Sequence, residues 1–120
     1  MYTKKISISV ALIQDGSSYI CLQRKNKLYN NYIEFPGGKL LSGETESNCL
    51  IREIKEELDI NVTKFKFIGV IKHLYDDLLI KINVFKIFKY NGHIHSHEAR
   101  EIIMYNSISN FNILPTHHRI

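Results

Sequence analysis

The sequence predicts an α+β domain with a mixed sheet, and three observations carry that prediction. Two early stretches alternate apolar and polar residues, one central stretch has helical periodicity, and two long runs of β-branched and aromatic residues follow it. In chain order, residues 4–13 (KKISISVALI) place Ile6, Ile8, Val10 and Leu12 on one face. After the turn QDGS, residues 18–25 (SYICLQRK) return, which reads as a hairpin. The segment NKLYNNY is a loop leading to the short apolar piece IEFP. GGKLLSGE, with Gly37, Gly38 and Gly43 close together, reads as loop rather than element. A helix follows, capped by Thr45 or Glu44. At 100° per residue, Leu50, Ile51, Ile54 and Leu58 share an arc of about 100°, the expected core face. Residues 65–75 and 79–90 read as two long strands joined by an Asp76-Asp77 turn, with Gly92 ending the second. EIIMYN is one further short strand, and the tail SISNFNILPTHHRI reads either as coil or as a short helix stopped by Pro115.

At 120 residues the chain fits one domain, residues 1–120, large enough to close a core without staples. Two prolines and six glycines argue against long linkers, and no internal repeat is present. No apolar run approaches the ~18–20 residues that span a bilayer. The opening MYTKKISISVALIQ alternates like a strand and lacks a small-residue cleavage site, so a soluble cytoplasmic protein is expected. Cys21 and Cys49 lack metal or redox spacing and are expected to be reduced, packed thiols. The net charge of +4 could point to nucleic acid, but the lysines are scattered and no nucleic-acid-binding signature is present. No stable nucleic-acid complex is expected, and small polyanions are equally suitable partners.

The charge is unevenly distributed. Between Glu44 and Asp59 six acids face only Arg52 and Lys55, a local charge of −4, so the remainder carries +8. Like charges at i,i+4 each cost a helix about 0.2–0.5 kcal/mol, so solvent or a cation must relieve this stripe. On the helical wheel Glu46, Glu53, Glu56 and Glu57 share a face distinct from the apolar arc. A solvated acidic surface is the ordinary explanation of such a stripe. Clustered carboxylate oxygens also suit Mg²⁺ or Mn²⁺, whose coordination is completed by water and substrate phosphates. Two further features favour the cation: adjacent glycines in FPGGK let backbone approach a ligand closely, and Lys39 beside them offers a point charge for an oxyanion.

The spacing Gly38, Glu44, then Arg52-Glu53-Ile54-x-Glu56-Glu57-x-x-Ile60 resembles the Nudix box, the signature of hydrolases of nucleoside diphosphates linked to another group. Asp59 stands where the family's pattern has glycine; aspartate tolerates a left-handed conformation better than most residues. YIEFPGGK, the preceding strand pair and the length resemble the MutT-type branch, which hydrolyses oxidised guanine nucleoside triphosphates such as 8-oxo-dGTP to monophosphate and pyrophosphate. The resemblance implies an α/β/α sandwich with a mixed sheet and a loop-helix-loop. Because the chain stops where the family's second helix would continue, that second helical layer is expected to be short.

By resemblance, Glu53, Glu56, Glu57 and the Gly37 carbonyl hold Mg²⁺, with Glu98 as a further candidate from a late loop and Glu101 as its competitor. Glu53 acts as base, Arg52 orients it, Glu44 braces the loop, and Lys39 stabilises phosphate charge. Arg24 and the segment Glu34, Phe35, Pro36, Gly37 and Gly38 correspond to the base pocket, whereas His117 stands where the family has asparagine. Phe35 reads equally well as core. His93, His95 and His97 alternate after Gly92 and read as an exposed loop. The implied protein is a monomeric nucleoside triphosphate pyrophosphohydrolase. Other substrates (ordinary nucleotides, dinucleoside polyphosphates, nucleotide sugars or RNA 5′ ends) and a nucleotide-sensing module without activity are the alternatives.

Overall fold

The fold is organised around β1 (Lys4–Asp15), which lies at the centre of the strand order and pairs with three others. In the computed structural model, which describes residues 4–24, 33–96 and 100–105, the remaining elements follow in order. They are β2 (Ser18–Arg24), β3 (Ile33–Glu34), β4 (Gly37–Lys39), α1 (Glu46–Leu58), β5 (Asn61–Tyr75), β6 (Leu78–Asn91) and β7 (Arg100–Tyr105). β1 runs parallel to β6 from Lys4↔Leu78 to Ile13↔Ile87 and antiparallel to β4 at Ile8–Val10. The expected β1–β2 hairpin is real but brief, with only Gln14↔Tyr19 and Asp15↔Ser18 in register around Gly16. β2 then leaves β1 to pair with β3 and, from Tyr19 to Arg24, with β7. The sheet is therefore mixed, as expected, in the order β3-β2-β1-β6-β5.

Each face of β1 has its own core. Ile8, Val10 and Leu12 pack with Cys21, Phe35, Ile80, Ile82 and Val84 on one side. Ala11 and Ile13 pack with Phe85, Ile87 and the apolar face of α1 on the other. Leu50, Ile54 and Leu58 are fully buried and Ile51 partly so, which matches the arc read from the wheel. Each fully buried leucine or isoleucine contributes about 1.5–3 kcal/mol. Phe35 is core, and Cys21 and Cys49 are free and buried, burial pushing their thiols up to about 12 and about 11.

Two expectations need correction. The glycine segment, read as loop, supplies β4: its hydrogen bonds are satisfied by β1, with the Ala11 N–H donating to the Pro36 carbonyl and the Leu40 N–H to the Ser7 carbonyl. Local composition signals a loop because glycine has low strand propensity, but here the missing side chains are what let β4 lie against β1. The strand after the helix also starts at Asn61 rather than near residue 65. β5 is the edge of the sheet, and register shifts at Val62/Lys64, Lys64/Phe65 and Phe67/Gly69 break its alternation. The Asp76-Asp77 turn joins β5 to β6 as expected. The tail helix, the short second helical layer and His97 concern residues outside those described. His93 and His95 are exposed. Among the described residues no helix is long and apolar enough to cross a membrane.

α1 is bounded by side chains legible in its sequence. The Thr45 hydroxyl accepts the Asn48 N–H at 3.1 Å, and the Asp59 N–H donates to the Lys55 carbonyl at 3.0 Å. Asp59 adopts the left-handed conformation (φ 60°, ψ 35°) that glycine occupies without cost, and its carboxylate meets Lys55 at 2.9 Å. Asp59→Gly is accordingly expected to change stability by less than about 1 kcal/mol, because relief of backbone strain offsets the lost exposed pair. Asp59→Val is expected to destabilise by about 1–2 kcal/mol, since a β-branched residue resists this conformation. Urea denaturation midpoints of the two variants check the difference.

Candidate active site

Two elements build the site: β4, fixed by its pairing with β1, and α1, whose acidic face lies against it. Gly37 has φ 155°, and a Cβ there would overlap the Ser9 carbonyl oxygen and sit 2.8 Å from the Val10 Cα. Gly38 is required for a different reason. A Cβ on it would overlap the Glu53 carboxylate, so Glu53 rests directly on the glycine backbone. The Gly37 N–H donates to Glu57 Oε1 at 2.8 Å, and the Cys49 thiol donates to the Gly38 carbonyl at 3.4 Å. The Ser9 hydroxyl donates to the Glu46 carbonyl at 2.8 Å, tying the start of α1 to β1. These contacts set the helix's rotation so that Glu53 and Glu57 face β4.

Arg52 organises the remaining acids. Its Nε and one terminal nitrogen grip Glu44 at 2.7 and 2.9 Å, and its other terminal nitrogen reaches Glu53 at 3.2 Å and Glu56 at 3.1 Å. With a further bond to the Lys39 carbonyl at 3.1 Å, partners are provided for all five guanidinium donors. A lysine could not reproduce this planar fork. The acidic stripe is therefore relieved from within the chain, by one arginine shared among three carboxylates. The hydrogen bonds it donates to Glu44 hold the Arg52 pKa further above its already high value.

Glu44 also accepts the Leu41 N–H at 2.9 Å while its own N–H returns to the Leu41 carbonyl, closing the loop before α1. The Arg52 side chain, followed by the Leu41 N–H, lowers its carboxyl from 4.5 to about 2. Because the folded value lies below the unfolded one, this carboxylate's stabilisation is complete above about pH 4.5 and is lost as pH falls toward about 2. Glu44→Gln is expected to flatten that part of the stability profile, checked by thermal melts between pH 2 and 6.

The sequence-derived residues are brought together unequally. Glu44, Arg52, Glu53 and Glu57 converge on β4. Lys39 is exposed at the end of β4, touching this network through its carbonyl. Glu34 and Pro36 are buried beside Phe35. Arg24 ends β2, opposite Arg100 of β7. Glu98 and His117 lie outside the described residues. The oxygen donors of Glu53, Glu56 and Glu57 suit a hard divalent cation in chemical type. In the present arrangement, however, no group of three or more acidic, histidine or cysteine side chains among the described residues is gathered as a metal cage. The physical reason is competition. Glu57, buried, is engaged by the Gly37 amide, and Glu56, 58% exposed, by Arg52. The exposed Glu56 must turn from Arg52 for the three to share an ion.

Sequence reasoning missed Ser9 and Cys49, whose bonds to the Glu46 and Gly38 carbonyls position α1. Ser9 gave only the signal of a polar residue in an alternating strand, and Cys49 none.

Over residues 3–104 the chain matches the NUDIX domain family. It is 36% identical over 88 residues to an 8-oxo-dGTP diphosphatase of Buchnera aphidicola subsp. Schizaphis graminum, covering 73% of this chain and 66% of that protein. It is 31% identical over 96 residues to the 8-oxo-dGTP diphosphatase of Proteus vulgaris, covering 78% and 86%. Among solved structures, the MutT NUDIX hydrolase from Burkholderia pseudomallei shares the fold with a TM-score of 0.77 at 20% identity, covering 87% of this chain and 84% of that one. The family match spans β1 to β7 and includes the helix on which the acidic residues are mounted, and the diphosphatase relatives fall in its MutT branch, so this protein belongs to the Nudix family, as a MutT-type hydrolase acting on phosphoric anhydrides.

Proposed function

We propose that the protein hydrolyses nucleoside triphosphates to monophosphate and pyrophosphate in a Mg²⁺-dependent reaction, with oxidised purine deoxynucleotides such as 8-oxo-dGTP as preferred substrates. The observation that carries this reading is Glu53, whose carboxylate lies on the bare backbone of Gly38 with one oxygen held by Arg52 at 3.2 Å. A carboxylate so placed has the acceptor lone pairs to take a proton from water while Arg52 fixes its direction. The names of the Buchnera and Proteus relatives support the choice of substrate.

Cleaving the α–β anhydride requires charge neutralisation, a water in line with phosphorus, and an acceptor for its proton. Glu53, Glu56 and Glu57 with the Gly37 carbonyl are the residues that would hold Mg²⁺, or Mn²⁺ in its place, once Glu56 has turned from Arg52, and the ion would supply charge neutralisation. Glu53 accepts the proton and Arg52 keeps it aligned. Glu44 holds Arg52, and Lys39, exposed beside the glycines, meets phosphate oxygens. Arg24 and the Glu34–Gly38 segment are assigned to the base, His117 to base reading and Glu98 to the ion, all by resemblance alone.

A panel of nucleoside triphosphates, including 8-oxo-dGTP and the four unmodified deoxynucleotides, tests the reading with Mg²⁺, Mn²⁺ or chelator present. Pyrophosphate rather than phosphate release, abolished by chelator and fastest for 8-oxo-dGTP, is expected. A folded protein that cleaves none of them refutes the activity. Faster turnover of an unmodified nucleotide refutes only the preference.

A further inference from the structure

We infer that the protein carries a second, non-catalytic pocket for a small neutral planar ring bearing both an N–H donor and a carbonyl acceptor, the chemistry of a free nucleobase or nucleoside. The cavity, about 270 Å³, is lined by Glu46, Ser47, Phe67, Val70, Lys81 and Asn83, with Phe85 at its floor. It is separate from the Glu53 site. Ser9 of β1 is in register with Gly38 on one side and with Asn83 on the other, so β1 stands between the two. Adjacent strands are about 4.8 Å apart, which puts Gly38 and Asn83 about 10 Å from each other.

Asn83 supplies the decisive feature. The residue is 1% exposed, and its Nδ2 donates to the Ile8 carbonyl and the Ser7 hydroxyl, each at 3.0 Å. Both N–H groups are thereby used, and the Ile8 carbonyl, which can only accept, fixes which way the amide is turned. Oδ1 consequently faces away from β1, toward the β5 side where the cavity lies, and no donor among the described residues reaches it. A buried carbonyl oxygen without a donor is costly, and a ligand N–H entering the cavity would satisfy it.

The other walls narrow the chemistry. Phe67 is 48% exposed and packs edge-on to Phe85 at 5.5 Å, leaving aromatic surface for a flat ring. Lys81 and Glu46 border the cavity without an ion pair between them, and neither has a side-chain partner among the described residues. Lys81 can donate to a ring carbonyl, whereas the Glu46 carboxylate would repel a phosphate. The volume lies just below the usual range for small-molecule pockets, about 300–1,000 Å³, which suits one ring system. A lone ring rather than a nucleotide is what these groups select.

The test is amide NMR of the full chain without divalent cations, titrated with guanosine and with cytidine, and with ribose as the non-planar control. At least one nucleoside is expected to shift the amides of Ser47, Phe67, Lys81 and Asn83 saturably, with a Kd of about 1 mM, while ribose does not. Phe67→Ser and Lys81→Met, both at the surface of the sheet, are each expected to weaken binding about tenfold and to leave kcat for nucleoside triphosphate unchanged. Absence of saturable shifts, shifts confined to Gly37, Gly38 and Glu53, equal shifts with ribose, or indifference to both substitutions would each overturn the inference.

Discussion

Glu53→Gln is expected to lower kcat at least about 100-fold, the lower end of a general-base contribution, while the melting temperature stays close to that of the unaltered protein. The substitution keeps the side chain's shape over Gly38 and leaves an oxygen to accept from Arg52. It removes only the capacity to take a proton and the negative charge. Arg52 would retain Glu44 and Glu56 as partners, so the network around it should persist. Single-turnover hydrolysis alongside circular-dichroism melts separates chemistry from folding. A folded variant with unaltered turnover would remove Glu53 from the role of base and leave the family assignment intact.

Gly37→Ala is expected to cost about 3–5 kcal/mol of stability, combining backbone strain with a steric clash. At φ 155° an L-residue is strained, and the added Cβ would strike backbone, the Ser9 carbonyl and Val10 Cα, which cannot give way without opening the β1–β4 pairing. The same displacement would carry the Gly37 N–H away from Glu57, leaving a buried carboxylate short of a donor. Gly38→Ala provides the contrast. Its Cβ would meet the end of the Glu53 side chain, which can swing aside. That variant should keep most of its stability and lose most of its turnover. Urea midpoints with unchanged m-values would report the stability of both variants and a hydrolysis assay the turnover of Gly38→Ala, and a Gly37→Ala protein within about 1 kcal/mol of the original would contradict the steric account.

The sequence alone determined the features that depend on neighbours within a few residues. Thr45 as cap, the arc of Leu50, Ile54 and Leu58, the left-handed Asp59 and the Asp76-Asp77 turn are all local, because helical periodicity and turn chemistry are written in i,i+3 and i,i+4 spacings. The acids Glu53, Glu56 and Glu57 were legible for the same reason, since their spacing on one helix fixes a common face, whereas Gly38 and Glu44, which precede the helix, were singled out by the family resemblance. Beyond the two hairpins, only the tertiary structure decided which strand each strand would meet. Ser7 and Ser9 are only the polar positions of an alternating strand in the sequence, yet they bond Asn83 and the start of α1, because β1 is covered on both faces. Glu57 read as one more acid of the stripe, yet it is buried and accepts the N–H of a glycine twenty residues away. Arg52, a single cation in the stripe, became its hub because Lys39 and Glu44 were folded back onto it. Pairings of this kind join positions far apart in the chain, and a residue's own identity sets what it can bond but not what the fold will place beside it.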